Sequence, residues 1–139
     1  MRIILLGPPG AGKGTLAGLL KESFSLTHIS TGDILREEMK KETTLGKQIK
    51  QFVDRGELVP DEVVTKIIEQ KFMSNGRTAE NFMLDGFPRT ESQAKDLDKI
   101  LSKVKKPLDL ALYMKASLPF ILQRLTGRRV CRNCGALYH

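Results

Sequence analysis

The feature that most constrains this sequence is a glycine-rich segment near its start, Gly7-Pro8-Pro9-Gly10-Ala11-Gly12-Lys13-Gly14-Thr15. The apolar run Arg2–Leu6 precedes it and leucines at helical spacing follow it, which predicts a strand, a loop and a helix in succession. Glycines in such a loop let backbone N–H groups surround phosphate oxygens at the positive end of the helix. The segment therefore predicts a phosphate-binding loop, with Lys13 reaching the terminal phosphates.

One position departs from the strict form of this loop, which has Ser or Thr directly after the lysine. Here that place holds Gly14, and Thr15 follows one residue later. A plain glycine-rich turn is the alternative interpretation, but it does not require an apolar strand before it and a helix after it. We therefore keep the prediction of a phosphate-binding loop.

The rest of the chain alternates short apolar runs with helical periods, which is typical of a parallel sheet covered by helices. Further strands are predicted at Thr27–Ser30, Phe82–Asp85 and Leu108–Met114. Helices are predicted for residues 33–42, 45–55, 61–74 and 90–104. A last helix is capped by Ser117, with a stripe expected to be buried: Leu118, Ile121, Leu122 and Leu125. The predicted fold class is α/β, a doubly wound parallel sheet, with residues 31–76 as a helical insert.

Composition narrows the function classes only in part. The 139 residues suit one domain, and the net charge of +7 suits either a solvated basic surface or a small polyanionic substrate. Lysines are scattered, and two Tyr and no Trp offer little base stacking, so no nucleic-acid partner is predicted. The run Ile3–Leu6 is too short for a signal sequence, which needs roughly 7–15 apolar residues, or for a membrane span of about 20. A cytoplasmic protein without membrane association is expected.

Charged residues at predicted strand ends indicate phosphoryl chemistry. Asp85 ends an apolar strand, where a carboxylate can help to hold Mg²⁺ through water, although Asp-Gly after a strand is also a common turn. Phosphoryl transfer depends on positioning and on positive charge around the transferred group. Four arginines follow strand ends or lie near the predicted loop: Arg36, Arg89, Arg124 and Arg128. Arg124 and Arg128 are four residues apart, which predicts one shared helix face.

Two cysteines, Cys131 and Cys134, form a C-x-x-C pair. Because no signal sequence is predicted, metal binding or redox chemistry is favoured over a structural disulfide.

Four motifs in order resemble the adenylate kinase family over the whole span from Met1 to His139: Gly7–Thr15; Ser30–Arg36; Leu84–Arg89 with Gln93; and Arg124 with Gly127-Arg128-Arg129. The resemblance implies reversible transfer from ATP to AMP, giving two ADP, with Mg²⁺, in nucleotide homeostasis and purine salvage. It also implies a monomer with a five-stranded parallel sheet and two mobile lobes. The core would be residues 1–30 and 77–129, the monophosphate-binding lobe residues 31–76, and the start of a lid residues 130–139.

The resemblance also implies a role for individual residues. Catalysis would depend on Lys13, Arg89, Arg124 and Arg128. ATP would contact Gly10, Ala11, Gly12, Lys13, Gly14, Thr15, Arg124 (by the adenine), Arg128, Leu137 and Tyr138. AMP would contact Thr31, Arg36, Glu57, Leu58, Val59, Gly86, Phe87, Pro88, Arg89 and Gln93. Gln93 has a second interpretation, because Thr90-Glu91-Ser92-Gln93 matches a capping box in which its side chain bonds the N–H of Thr90.

Cys131 and Cys134 resemble the first half of the zinc knuckle in long-lid bacterial members of the family. Structural zinc takes four ligands, so Zn²⁺ is expected only where the rest of such a lid is present, with His139 considered as a third ligand. The chain is expected to be C-terminally truncated, ending before the later lid arginines and the last core strand and helix. Two alternatives stay open: a UMP or CMP kinase, against which Thr31 argues because pyrimidine relatives tend to carry a smaller residue there, and a truncated, inactive nucleotide-binding module.

Overall fold

The computed structural model describes residues 1–74, 80–131, 133 and 137–139, and of residues 130 and 137 it describes the backbone alone. The elements before the insert are β1 (Arg2–Leu6), α1 (Lys13–Phe24) and β2 (Thr27–Ser30). Three helices follow: α2 (Thr31–Lys40), α3 (Thr44–Asp54) and α4 (Asp61–Ser74). The remaining elements are β3 (Phe82–Asp85), α5 (Glu91–Lys103), β4 (Leu110–Tyr113), α6 (Leu118–Gly127), β5 (Arg129–Val130) and β6 (Leu137–Tyr138). The predicted boundary between insert and core, at residues 76 and 77, lies outside the described residues.

Four parallel strands form the main sheet in the order β2-β3-β1-β4, which confirms the predicted α/β class. The register sets Leu5 opposite Asp85, Ser30 opposite Asp85, and Leu6 opposite Tyr113. The carboxyl ends of all four strands therefore meet at one edge, and the loops that follow them emerge together. A separate antiparallel pair joins β5 to β6.

Both faces of the sheet are covered, because alternate residues of each strand point to opposite sides. On one face, Ile4, Ile29 and Leu84 pack with α4 and α5 in a cluster that includes Ile68, Phe72, Leu97 and Leu101. On the other face, Ile3, Leu5 and Met83 pack with Ala17 of α1 and with Leu26. Strands buried on both faces read as continuous apolar runs, and for that reason β1 and β3 were predicted to the residue. Strand β2 lies at the edge of the sheet, and of its residues only Ile29 is buried.

The predicted burial of the α6 stripe is wrong for most of its members. Leu118, Leu122 and Leu125 are 67%, 53% and 37% exposed, and no residue of α6 is buried. Strand β4 lies at the edge of the sheet and is itself largely exposed. Within the described residues α6 therefore has little apolar surface to pack against. The helix period identified an apolar face but could not identify what lies against it.

The predicted helix face shared by Arg124 and Arg128 is also wrong. Helix α6 ends at Gly127, and Arg128 follows as its C-cap with extended backbone (φ −65°, ψ 128°). The two guanidinium groups therefore do not stand one turn apart on the same helix.

An ion pair connects the beginnings of the two strands β1 and β4. The Arg2 guanidinium donates to the two carboxylate oxygens of Asp109 at 2.6 and 3.1 Å, and the Arg2 backbone N–H donates to Asp109 at 2.8 Å. The hydrogen bonds from Arg2 hold the pKa of the Asp109 carboxyl below its usual range. Among the described residues no helix has the length and apolar character that crossing a membrane would need.

We expect Gly46→Ala to destabilise the helical insert. A Cβ at position 46 would lie 2.3 Å from the Glu38 carbonyl oxygen and 2.5 Å from that of Lys41, so α3 would have to move away from α2. Overpacking of this kind costs about 1–3 kcal/mol. The matched control is Gly18→Ala in α1, where a Cβ meets nothing within 4 Å and helix propensity should add about 0.5–1 kcal/mol. Urea unfolding of both variants checks this, and a Gly46→Ala variant as stable as the parent would contradict it.

Candidate active site

The glycine-rich loop leaves β1 and enters α1 through left-handed backbone. Gly7, Gly10 and Gly12 have φ of 139°, 82° and 97°. A Cβ at Gly7 would lie 2.6 Å from the Met114 carbonyl oxygen, so the loop passes close to the end of β4. Helix α1 has no side-chain cap at Gly12 and no acidic residue in its first turn. Its first N–H groups therefore stay available to an anion, at the positive end of the helix dipole.

Lys13 is folded over the loop that precedes it. Its Nζ donates to the carbonyl oxygens of Gly7 at 2.8 Å and Pro8 at 3.0 Å, and the side chain is partly buried. These two contacts hold an ammonium group directly above the loop. Phosphate oxygens are hydrogen-bond acceptors for an ammonium group, as these two carbonyl oxygens are.

Arg124 lies beside the same loop. Its Nη1 is 3.2 Å from the place a Cβ would take at Gly12, and its guanidinium stands 5.3 Å from the centre of the Phe120 ring. Arg128, predicted to act with it, is exposed after the end of α6. The structure therefore brings Lys13 and Arg124 together at the loop, with Arg128 four residues further on in extended chain.

Asp85 ends β3 next to the loop. Its backbone pairs with Leu5 of β1 on one side and with Ser30 of β2 on the other, and its side chain is only 16% exposed. The His28 Nε2 atom lies 3.9 Å from Asp85 Oδ2, and it is buried and makes no hydrogen bond within the described residues. A carboxylate at this position is a ligand type that Mg²⁺ prefers, so the residue fits the predicted metal role.

A second group of predicted residues gathers after β2 and β3. Thr31 opens α2 and is 3% exposed, and its hydroxyl has no hydrogen-bond partner within the described residues. A Cβ at Gly86 (φ 85°) would lie 3.8 Å from the Thr31 Cβ and 3.3 Å from the Arg89 Nη2. Arg89 also donates from Nε to the Gly86 carbonyl oxygen at 2.8 Å. A buried, unpaired hydroxyl beside a guanidinium is the arrangement expected where a polar ligand completes the site.

Gln93 adjoins this group and is 4% exposed. Its Oε1 accepts from the Arg89 backbone N–H at 2.7 Å, and its Nε2 donates to Asp61 Oδ1 at 2.6 Å. The predicted capping box is half present. The Thr90 hydroxyl accepts from the Gln93 N–H at 3.2 Å, but the Gln93 side chain bonds the N–H of Arg89 instead of that of Thr90. The sequence interpretation missed Asp61, which it took only as the start of a helix.

The other residues predicted to contact AMP are more widely spread, and several of them are exposed. Arg36 is exposed and donates to Asp33 Oδ1 at 2.5 Å, which lowers the pKa of the Asp33 carboxyl. Leu58 is 81% exposed, Glu57 is exposed, and Val59 is half-buried against the core. Phe87 is fully buried in the core, so only its backbone faces the site, and the Phe87–Pro88 peptide bond is cis.

The predicted lid residues are described only in part. Tyr138 is exposed, Leu137 is described by its backbone, and both belong to β6. Cys131 is half-buried, whereas Cys134 lies outside the described residues. His139 lies against Gly127, with Nε2 2.7 Å from the place of a Cβ there. Within the described ranges no three His, Cys, Asp or Glu side chains cluster as metal ligands, and the zinc half-site stays a prediction.

A left-handed glycine loop between a buried parallel strand and a helix, a lysine above it and a carboxylate on the neighbouring strand define an α/β protein of the P-loop class. A family model described as adenylate kinase matches residues 5–133. Adenylate kinases of Clostridium botulinum strain Hall, Caldicellulosiruptor bescii and Clostridium novyi strain NT are 55%, 52% and 50% identical over all 139 residues. The chain therefore belongs to the adenylate kinase family, and it spans 64% of the length of each of these relatives.

We expect Thr31→Val to stabilise the ligand-free protein and, if Thr31 contacts AMP as the family resemblance implies, to weaken AMP binding. Within the described residues the buried hydroxyl has no hydrogen bond to lose, so its removal should raise the free energy of unfolding by about 1 kcal/mol. The matched control is Thr65→Val on α4, whose hydroxyl is also buried without a partner within the described residues. Chemical unfolding and AMP calorimetry check both variants. A Thr31→Val variant that is destabilised, or that binds AMP like the parent, would contradict the interpretation.

Proposed function

We propose that the protein transfers a phosphoryl group reversibly between ATP and AMP, giving two ADP, in nucleotide homeostasis and purine salvage. One observation carries the proposal. The P-loop with Lys13 and the group formed by Thr31, Gly86 and Arg89 lie at the same edge of one sheet, after adjacent strands. Two sites that each carry a positive side chain, Lys13 in one and Arg89 in the other, suit a donor and an acceptor nucleotide lying side by side. Membership of the adenylate kinase family supports the same activity.

On the donor side, backbone N–H groups of residues 10–15 would surround the ATP phosphates, and Lys13 would move its ammonium from the two loop carbonyls to phosphate oxygens. Arg124, beside Gly12, and Arg128 would add positive charge, and Leu137 and Tyr138 would cover the nucleotide. Charge placed in advance where negative charge is transferred is the main protein contribution to phosphoryl transfer. Asp85 would hold Mg²⁺ through water, and the bound ion would neutralise phosphate charge.

On the acceptor side, the proposed AMP contacts fall into two parts. Arg36 and Arg89 would bind the phosphate, Arg36 after release from Asp33. The hydroxyl of Thr31, the amide of Gln93 and the backbone of residues 57–59 and 86–88 would contact the nucleoside. In this proposal residues 31–76 act as the monophosphate-binding lobe and residues 130–139 begin the lid, with Cys131 and Cys134 as two of four zinc ligands only where the rest of such a lid is present. From the family resemblance alone, we also propose a cytoplasmic monomer.

Lys13→Met should reduce turnover of the full-length gene product by about 10²–10³-fold or more, because it removes the ammonium that the carbonyl oxygens of Gly7 and Pro8 hold above the loop. The control is Lys21→Met, an exposed lysine in the last turn of α1, which should leave turnover unchanged. A coupled assay of ADP formation measures both. A loss smaller than tenfold for Lys13→Met would argue against its assignment.

Acceptor choice separates the proposal from a pyrimidine monophosphate kinase. If Thr31 and Gln93 contact adenine, the full-length protein should phosphorylate AMP far faster than UMP, CMP or GMP, because a site built to hydrogen-bond one base leaves polar groups unpaired with another. The same coupled assay over the four monophosphates tests this. Equal rates with UMP and AMP would favour the pyrimidine alternative, and no turnover with any of them would favour a binding module.

A further inference from the structure

The side-chain amide of Gln93 is held at both of its ends by groups of opposite hydrogen-bonding type. Its nitrogen donates to the Asp61 carboxylate at 2.6 Å, and its oxygen accepts from the Arg89 backbone N–H at 2.7 Å. An ionised carboxylate can only accept and a backbone N–H can only donate. A flipped amide would set oxygen against oxygen and N–H against N–H, so these two neighbours fix which end of the amide is which.

Asp61 is well placed for this role because it is itself held. Its second oxygen accepts from the Thr90 hydroxyl at 2.6 Å, and that hydroxyl accepts from the Gln93 N–H at 3.2 Å. Asp61 begins α4, whereas Thr90 caps α5, so the three side chains join two helices that are distant in sequence. Behind them α4 and α5 pack through buried apolar residues of the core cluster. The carboxylate therefore has little freedom to turn away from the amide.

The orientation of this amide has a chemical consequence. An amide nitrogen carries two hydrogens and an amide oxygen two lone pairs, so after the contacts with Asp61 and Arg89 each atom keeps one further position. A purine with a 6-amino group offers a donor there, whereas a purine with a 6-oxo group offers an acceptor. The 6-amino group pairs with the amide oxygen, and the 6-oxo group pairs with the amide nitrogen. An amide that cannot flip presents only one of these two atoms at the place where the 6-substituent lies.

We propose that Asp61 is a positioning residue that orients the Gln93 amide, and that it thereby makes the acceptor site prefer 6-amino over 6-oxo purine monophosphates. The inference rests on the proposed function, in which Gln93 contacts the base of AMP. Asp61 does not touch the nucleotide in this scheme. It acts through Gln93, on selectivity rather than on the transfer step.

The test compares Asp61→Ala and Asp61→Asn with Glu62→Ala in the full-length protein. Glu62 is the exposed neighbour in the same first turn of α4, so its variant removes the same charge from the helix N-terminus without touching Gln93. Calorimetry measures binding of AMP, of IMP as the 6-oxo analogue, and of ATP. For Asp61→Ala we expect the AMP dissociation constant to rise about tenfold and the preference for AMP over IMP to fall by a similar factor, with ATP binding unchanged. Glu62→Ala should bind all three like the parent.

Asp61→Asn keeps an oxygen that can accept from Gln93 while its nitrogen donates to Thr90. It should therefore lose part of the AMP preference relative to the parent, although less than Asp61→Ala does, and this loss relative to the parent is the test if the alanine variant fails to fold. Proton exchange of the Gln93 side-chain amide, followed by ¹⁵N NMR without nucleotide, adds a readout independent of binding. The amide should exchange slowly in the parent and at least tenfold faster in Asp61→Ala, which removes the acceptor of its hydrogen bond.

Two results would overturn the inference. One is an equal loss of AMP and IMP affinity in Asp61→Ala, which would make Asp61 only a structural link between α4 and α5. The other is amide exchange as slow in Asp61→Ala as in the parent. A different result, a parent protein without preference for AMP over UMP or CMP, would instead contradict the proposed function, so the two failures can be distinguished.

Discussion

The parallel register of the central sheet is the constraint on which the rest of the molecule depends. Pairing of Leu5 with Asp85, of Asp85 with Ser30, and of Leu6 with Tyr113 brings four strand ends to one edge. Because side chains alternate between faces, a slip of one residue would turn the apolar set of β1 or β3 toward the wrong layer of helices. The two buried clusters on opposite faces therefore fix the register. That register places the glycine loop, Asp85 and Thr31 next to one another.

At this edge the protein departs from the arrangements that would stabilise it most. The Thr31 hydroxyl and the His28 Nε2 are buried without hydrogen-bond partners within the described residues, and Lys13 bonds only to carbonyls of its own loop. Gly7, Gly10 and Gly12 have no side chain at positions where a Cβ would lie close to neighbouring atoms. Local compromises of this kind are expected where a ligand, rather than the chain itself, completes the interactions.

Sequence patterns predicted the elements that are buried on two sides and failed where a partner had to be known. Strands β1 and β3 and helix α4 were predicted to the residue because apolar runs, turn residues and the acidic start of α4 all agree. The α6 stripe was predicted to be buried and is mostly exposed, because a helix period carries no information about the surface it meets. Four sequence motifs identified the residues of the candidate site. The roles of these residues were inferred from the resemblance to the family and not from the spacing of the motifs. Asp61 was missed because its contact with Gln93 joins residues 32 apart in sequence, which no local pattern encodes.

The contact between α4 and α5 also bears on which part of the helical insert could move against the core. Val64, Ile68 and Phe72 of α4 are buried in the cluster that holds Leu97 and Leu101 of α5, and Lys103 pairs with Glu69 at 2.6 Å across the same interface. In contrast, α2 and α3 pack closely on each other, where Gly46 meets the backbone of residues 38 and 41. Separating α4 from α5 would expose several large apolar side chains, at roughly 25 cal/mol for each Å² of apolar surface, whereas a rotation of α2 and α3 as one unit would expose far fewer. Under the proposed function, a lobe movement that preserves this interface would keep Asp61 and Gln93 together while carrying Arg36 toward an acceptor phosphate. Base selection would then belong to the rigid part of the molecule, and capture of the phosphate to the part that moves.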